Sequence, residues 1–134
     1  MSYLLDTHLL LWVLSNDFKL PEAVRLILDD DRNDIYYSVI SIWEVALKHL
    51  SHPEQLKLTA EQASAYCRMS GFQRLSVEEK HIFLLESLKR PEDAPSHKDP
   101  FDKMLISQAK GEEMLFLTHD ALLSYYNEPC IVFV

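Results

Sequence analysis

Residues 3–14 read Tyr3-Leu4-Leu5-Asp6-Thr7-His8-Leu9-Leu10-Leu11-Trp12-Val13-Leu14. The first three are apolar and suit a strand, Asp6-Thr7-His8 is a polar break, and Leu9 to Leu14 form an apolar run of helix length. Strand, turn and buried helix follow one another within twelve residues. The same alternation continues downstream. Lys19-Leu20-Pro21 opens a second helix, with Pro21 in its first turn, Val24, Ile27 and Leu28 at three- to four-residue spacing, and Asp29-Asp30-Asp31 as its stop. Ile35 to Val39 is a second short strand, and Ser41 starts a helix through Trp43, Val45, Ala46, Leu47 and Leu50. Trp43, Leu47 and Leu50 are expected in the core.

The middle of the chain, His52 to Leu88, reads as mostly helical. Thr59 and Ser76 are suitable caps, with Gln62 and Glu79 three residues on, Gly71 suits a helix stop, and a brief strand is expected around Phe72 to Leu75. Arg90 to Lys98, with Pro91 and Pro95 among polar residues, is a surface loop. Asp99-Pro100 opens a helix to about Gly111, Met114 to Leu117 is a strand, Asp120 starts a short helix, and Ile131 to Val134 is a last strand. Strands alternating with helices imply an α/β fold with a central, mainly parallel sheet and helices on both faces. A length of 134 residues fits one domain, 1–134.

Composition excludes several classes. With 48% hydrophobic and 25% charged residues the chain has the make-up of a globular protein, not of a disordered, collagen-like or coiled-coil one. Its 2 glycines compare with about 9 at average usage, which leaves no material for a phosphate loop or a dinucleotide fingerprint. The longest apolar run, Leu9 to Leu14, is far short of a membrane span. Cys67 and Cys130, far apart and without an export signal, are expected as reduced thiols in a cytoplasmic protein. A net charge of -8 argues against broad nucleic-acid binding through a basic surface. A polyanionic ligand would require local neutralisation of the acids.

Three acids fall where a parallel sheet places its ligands, near the carboxyl ends of strands, and a fourth lies near the start of a helix. They are Asp6 after the first strand, Glu44 in the helix after the second, Asp120 after Leu115 to Thr118, and Asp102 near the start of the preceding helix. Each also has an ordinary explanation. Asp6, Asp99 and Asp120 can cap the helices behind them, and Glu44 can pair with Lys48 one turn on. At about 100° per residue, Asp102 lies within the apolar arc of Phe101, Met104, Leu105, Ile106 and Ala109, where a carboxylate is costly unless bonded. Glu44 is placed by the same construction on the polar side of its helix. Converging carboxylates repel one another unless a cation lies between them, and hard oxygen ligands without thiolates select Mg²⁺ or Mn²⁺. Such ions bind phosphate oxygens and activate water for phosphodiester hydrolysis.

Four segments together resemble a known family. Asp6-Thr7-His8 after the first strand, Ser41-Ile42-Trp43-Glu44-Val45-Ala46-Leu47-Lys48, and His97-Lys98-Asp99-Pro100-Phe101-Asp102-Lys103 followed by Leu117-Thr118-His119-Asp120 are similar to the PIN domain (PilT N-terminus). The branch is that of the VapC-like toxins with a His-x-Asp-Pro-Phe-Asp-Arg motif. The resemblance implies a three-layer α/β/α sandwich and a Mg²⁺- or Mn²⁺-dependent endoribonuclease. It also implies the toxin role in a type II toxin–antitoxin pair, with an RNA substrate, a cognate antitoxin protein and a homodimer. Its acidic quartet falls on Asp6, Glu44, Asp102 and Asp120, with Asp99 as an extra ligand or a supporting acid. Thr7, Lys48, His97, Lys103 and Thr118 are the substrate-binding candidates; Lys103 stands where the motif usually has Arg, losing a planar fork for phosphate.

No His-Glu-x-x-His spacing for zinc occurs. Tyr36, Tyr37, Tyr125 and Tyr126 fit packing better than base stacking. Two other functions remain open at this point. A receiver-like signalling domain would need two acids after the first strand and a lysine after the last, neither of which occurs. A catalytically silent binding module on the same scaffold would be marked by loss of an acid, and all four acids are present.

Overall fold

The computed structural model describes residues 1–134. In chain order its elements are β1 (Ser2–Leu5), α1 (Thr7–Leu14), α2 (Glu22–Asp29), β2 (Asp34–Ser38), α3 (Val39–Ser51), α4 (Ala60–Met69), β3 (Gln73–Leu75), α5 (Glu79–Leu84), α6 (Pro100–Glu112), β4 (Leu115–Thr118) and β5 (Ile131–Phe133). Short 3-10 turns occupy Leu85–Ser87 and Ala121–Tyr126. The five strands are all parallel, in the order β3-β2-β1-β4-β5. From β1 the sheet grows to β2 and β3 on one side and to β4 and β5 on the other. The topological switch point is therefore between β1 and β4, where open parallel sheets form a crevice at their carboxyl ends.

Alternation along β1 supplies both cores. Tyr3 and Leu5 join Leu9, Leu10, Val24 and Cys67 from α1, α2 and α4 on one face, while Leu4 joins Ile40, Leu105, Ile106 and Ala109 from α3 and α6 on the other. The result is the expected α/β/α sandwich. Cys67 is a core side chain, and burial pushes its thiol up to about 12. No helix is long and apolar enough to cross a membrane.

Several expected details change. Helix α3 starts at Val39, not Ser41: Ser38 caps it by accepting the Ile40 N–H at 3.0 Å, and Ser41 is buried against Thr7, with 2.9 Å between hydroxyl oxygens. Trp43, Leu47 and Leu50 are not core residues but 56%, 43% and 76% exposed. The physical reason is that Ile40, Ser41 and Val45 form the buried stripe of α3; at about 100° per residue Trp43 and Leu50 fall on the opposite side and Leu47 at the edge of the stripe.

Thr59 and Gln62 form the expected capping box on α4, but Ser76 caps nothing. Helix α5 begins later, with Glu78 at its cap, because the fully buried His81 ring accepts the Glu78 N–H at 2.9 Å while its other nitrogen lies 2.9 Å from Glu112 Oε2. Helix α6 ends within a residue of the expected place, at Glu112, where Glu113 turns to φ 57°. The packing at Gly111 is close: a Cβ there would lie 3.0 Å from Leu84 Cδ1 and 3.1 Å from His81 Cδ2, so these side chains would have to give by a few tenths of an ångström.

Gln108 locks the two helices of this face to the sheet. It is fully buried on α6, its Oε1 accepts from Ser38 Oγ at 2.5 Å, and its Nε2 donates to the Ser76 carbonyl at 3.3 Å. Gln108→Leu keeps the volume but leaves the Ser38 O–H without its acceptor and the Ser76 carbonyl without its donor, while Ser38 Oγ still accepts the Ile40 N–H. The substitution is expected to lower the unfolding free energy by about 1–3 kcal/mol, read as a lower urea midpoint at unchanged slope; an unchanged midpoint would show that the bonds contribute nothing net.

Candidate active site at the edge between β1 and β4

The pairing of β1 with β4 runs one residue past the strand, because the Asp6 N–H donates to the Leu117 carbonyl at 3.0 Å. This holds Asp6 beside Thr118, whose hydroxyl donates to Asp6 Oδ2 at 2.5 Å and accepts the Asp120 N–H at 3.1 Å. Asp6 Oδ1 accepts the Leu9 N–H at 2.8 Å and caps α1. The residue is 4% exposed. Burial raises its pKa, and its hydrogen bonds to Leu9 and Thr118 oppose the rise. Asp120 caps the following 3-10 turn through the Leu122 N–H at 3.0 Å.

Asp102 arrives from α6. Asp99 caps that helix, its Oδ1 accepting the Phe101 N–H at 2.9 Å, and Pro100 follows in the first turn. As the helical wheel requires, Asp102 lies on the inner side, near the fully buried Leu105 and Ile106. Its carboxyl is pushed up to about 8, first by burial and then by repulsion from Asp99, Glu44, Asp6 and Asp120. His97 Nε2 lies 3.1 Å from Asp102 Oδ2, and His97 Nδ1 lies 2.7 Å from the Tyr126 hydroxyl. Burial and the nearby Arg90 guanidinium lower the pKa of this imidazole. Ligand-type atoms of His97, Asp102 and Asp120 all lie within 4.8 Å of one another.

Glu44 departs from its expected place on a polar face. On α3 it falls within the arc of the buried Ile40, Ser41 and Val45, so it turns inward and only partly meets solvent. Burial raises its pKa, the Thr7 hydroxyl opposes the rise, and the charges of Asp99 and Asp6 add to it. Its Oε1 is buried without a hydrogen-bond partner, so the expected pairing with Lys48 does not reach that oxygen. Lys48 instead stands exposed on the wall of a small cleft shared with Thr7, His8 and Glu44.

The remaining candidates divide between interior and rim. The hydroxyls of Thr7 and Thr118 are engaged by Ser41 and Asp6, whereas Lys103 is half-buried in the first turn of α6. A cleft of about 250 Å³ opens beside the acids, lined by Asp6, His8, Trp12, His119, Asp120 and Ala121. In it His119 stacks on Phe133, with ring centroids 5.4 Å apart, and bonds the Val134 carbonyl. Tyr126, read from sequence only as packing, proves to hold His97; a pair 29 residues apart carries no local signal.

The donor set suits a hard divalent cation. It consists of carboxylate oxygens without a thiolate, includes the unpartnered Glu44 Oε1, and contains Asp102, whose pKa is raised by burial and by the neighbouring acids.

The fold and part of the sequence are shared with known proteins. The PIN domain family model matches residues 3–128. A chain of the VapBC2 structure from Rickettsia felis, bound to a DNA fragment from their promoter, superposes with a TM-score of 0.66 at 18% identity, over 100% of this chain and 98% of that one. A chain of a toxin–antitoxin complex from Klebsiella pneumoniae gives 0.59 at 16% identity, over 97% and 95%. No curated protein matches. With its acids gathered at the switch point of an all-parallel sheet and the family match spanning 3–128, the chain belongs to the PIN domain family.

Proposed function

We propose that this chain is a Mg²⁺- or Mn²⁺-dependent endoribonuclease and the toxin of a toxin–antitoxin pair in the cytoplasm. The observation that carries the reading is the gathering of Asp6, Glu44, Asp102 and Asp120 at one half-buried edge, where burial first and mutual repulsion second push Asp102 up to about 8. Half-buried acids this close are costly unless a cation compensates them. Family membership supports the nuclease part, and the fold shared with chains of toxin–antitoxin complexes supports the toxin part.

In this reading Asp6, Glu44, Asp102 and Asp120 hold the cation, and Asp99 caps α6 and adds negative charge behind them. When bound, the ion supplies Lewis acidity toward a phosphate oxygen and a water of lowered pKa. Thr118 fixes the Asp6 carboxylate, and Thr7 braces α1 against α3 through Ser41. Lys48, Lys103 and His97 meet the RNA backbone or the acids facing it. An antitoxin would neutralise the open acidic edge with a basic side chain, since Arg pairs with carboxylates in a bidentate fork. The exposed arc of Trp43, Leu47 and Leu50 offers a second copy an apolar face.

Asp6→Asn and Asp102→Asn should each reduce Mn²⁺-dependent cleavage of single-stranded RNA on the order of 100-fold. Wild-type rates in both, with contaminating nuclease excluded, would overturn the reading.

The titration of Asp102 gives a second expectation. Its folded value of about 8 exceeds the ordinary 3.8, so the folded cation-free chain holds a proton that the unfolded chain releases. Stability without a cation should therefore fall as pH rises from about 4 to about 8, and the raised values of Asp6 and Glu44 act in the same sense. Mn²⁺ should restore the melting temperature, more at pH 8 than at pH 5, and Asp102→Asn should flatten both trends. A cation effect that is the same at both pH values would contradict a shared acidic site.

A further inference from the structure

We propose that His97 is a nitrogen ligand of the divalent cation held by Asp102 and Asp120, oriented for that role by the Tyr126 hydroxyl. The proposal rests on the reading of the acidic edge as a cation site and changes its donor set from all oxygen to mixed nitrogen and oxygen.

His97 Nε2 lies 3.1 Å from Asp102 Oδ2, and the two share with an Asp120 oxygen a span of 4.8 Å, close enough for one ion to touch all three. The imidazole is not a solvated rim group, since its side chain is 5% exposed. Its far nitrogen is 2.7 Å from the Tyr126 hydroxyl, and the two rings meet edge-on at 5.5 Å and 85°. Tyr126 is itself 4% exposed, and the Arg90 guanidinium lies over its ring at 5.3 Å. The ring is thereby held with Nε2 toward the acids.

A phenol hydroxyl both donates and accepts. In one tautomer of the ring Nε2–H donates to Asp102 while Nδ1 accepts from Tyr126. In the other tautomer Nδ1–H donates to the tyrosine oxygen, and the Nε2 lone pair is free at the same place. Ligating histidines have this arrangement, with the second N–H held by an oxygen acceptor.

The other cluster of this type shows what is missing elsewhere. Glu78, His81 and Glu112 are equally close, but one His81 nitrogen accepts a main-chain N–H, the other faces Glu112, and Lys80 already neutralises that carboxylate at 2.6 Å. The His81 ring therefore has no lone pair left for an ion, and Lys80 already occupies the carboxylates. At His97 no main-chain N–H takes the ring nitrogen that faces the acids.

An imidazole ligand disfavours Mg²⁺, which prefers an all-oxygen shell, relative to Mn²⁺. The test is pulsed electron paramagnetic resonance of the Mn²⁺-loaded full chain, with Mn²⁺ and Mg²⁺ affinities measured by calorimetry. Expected are modulation from a directly bound nitrogen, its loss in His97→Gln, and a fall in Mn²⁺ affinity of at least about tenfold in that variant, with Mg²⁺ affinity nearly unchanged. Tyr126→Phe should keep the nitrogen signal and weaken Mn²⁺ by a similar factor. Bound Mn²⁺ without nitrogen modulation, or modulation that persists in His97→Gln, overturns the assignment of His97 and leaves the acidic site standing. Failure of the wild-type chain to bind Mn²⁺ overturns both. The wild-type spectrum decides the matter even if a variant folds poorly.

Discussion

The Thr118 hydroxyl donates to Asp6 and accepts from the Asp120 N–H, so one small side chain couples the two central strands to the two acids that follow them. Its position depends on register. Leu5 pairs with Leu117 and both are fully buried, and a slip by one residue would turn the apolar side chains of β1 to the wrong layers. Hydrophobic burial thus fixes the strands, and the fixed strands leave Asp6, Thr118 and Asp120 next to one another at the edge. The geometry of the polar centre is inherited from the core beneath it.

Like charges gathered this closely strain a fold, and the chain offsets the strain in a distributed way. Asp6, Asp99 and Asp120 cap α1, α6 and the 3-10 turn at Ala121–Tyr126. Each cap brings unpaired main-chain N–H groups, with their partial positive charge, toward the acidic edge. The capping role of these acids and their place in the centre are therefore one arrangement. Asp102 caps no helix; it is the inward acid in the first turn of α6 with His97 beside it, and burial together with the surrounding acids raises its pKa.

How much of this is legible in the sequence depends on the range of the forces involved. The strand and helix order, the Thr59–Gln62 box and the inward Asp102 follow from local periodicity and capping, and the structure has them. Glu44 and the arc of Trp43, Leu47 and Leu50 could not be oriented in this way. On α3 the apolar side is the outer one, and the side facing the sheet is built from Ile40, Ser41 and Val45, so amphipathicity points in the wrong direction. Contacts distant along the chain left no mark at all. Tyr126 reaching His97, Gln108 reaching Ser38 and His81 reaching Glu112 are products of tertiary packing, and each of these residues alone reads as an ordinary polar or aromatic side chain.

The order of strands also governs when the molecule becomes complete. β1 is the first strand of the chain, yet it lies in the middle of the sheet and its partner β4 is residues 115–118. During synthesis from the amino terminus, β1, β2 and β3 can pair early, but one edge of β1 stays open until most of the chain has been made. Asp6 then has neither the Leu117 carbonyl nor the Thr118 hydroxyl to hold it, and Asp120 does not yet exist. A nascent or truncated chain is thus without a formed acidic centre.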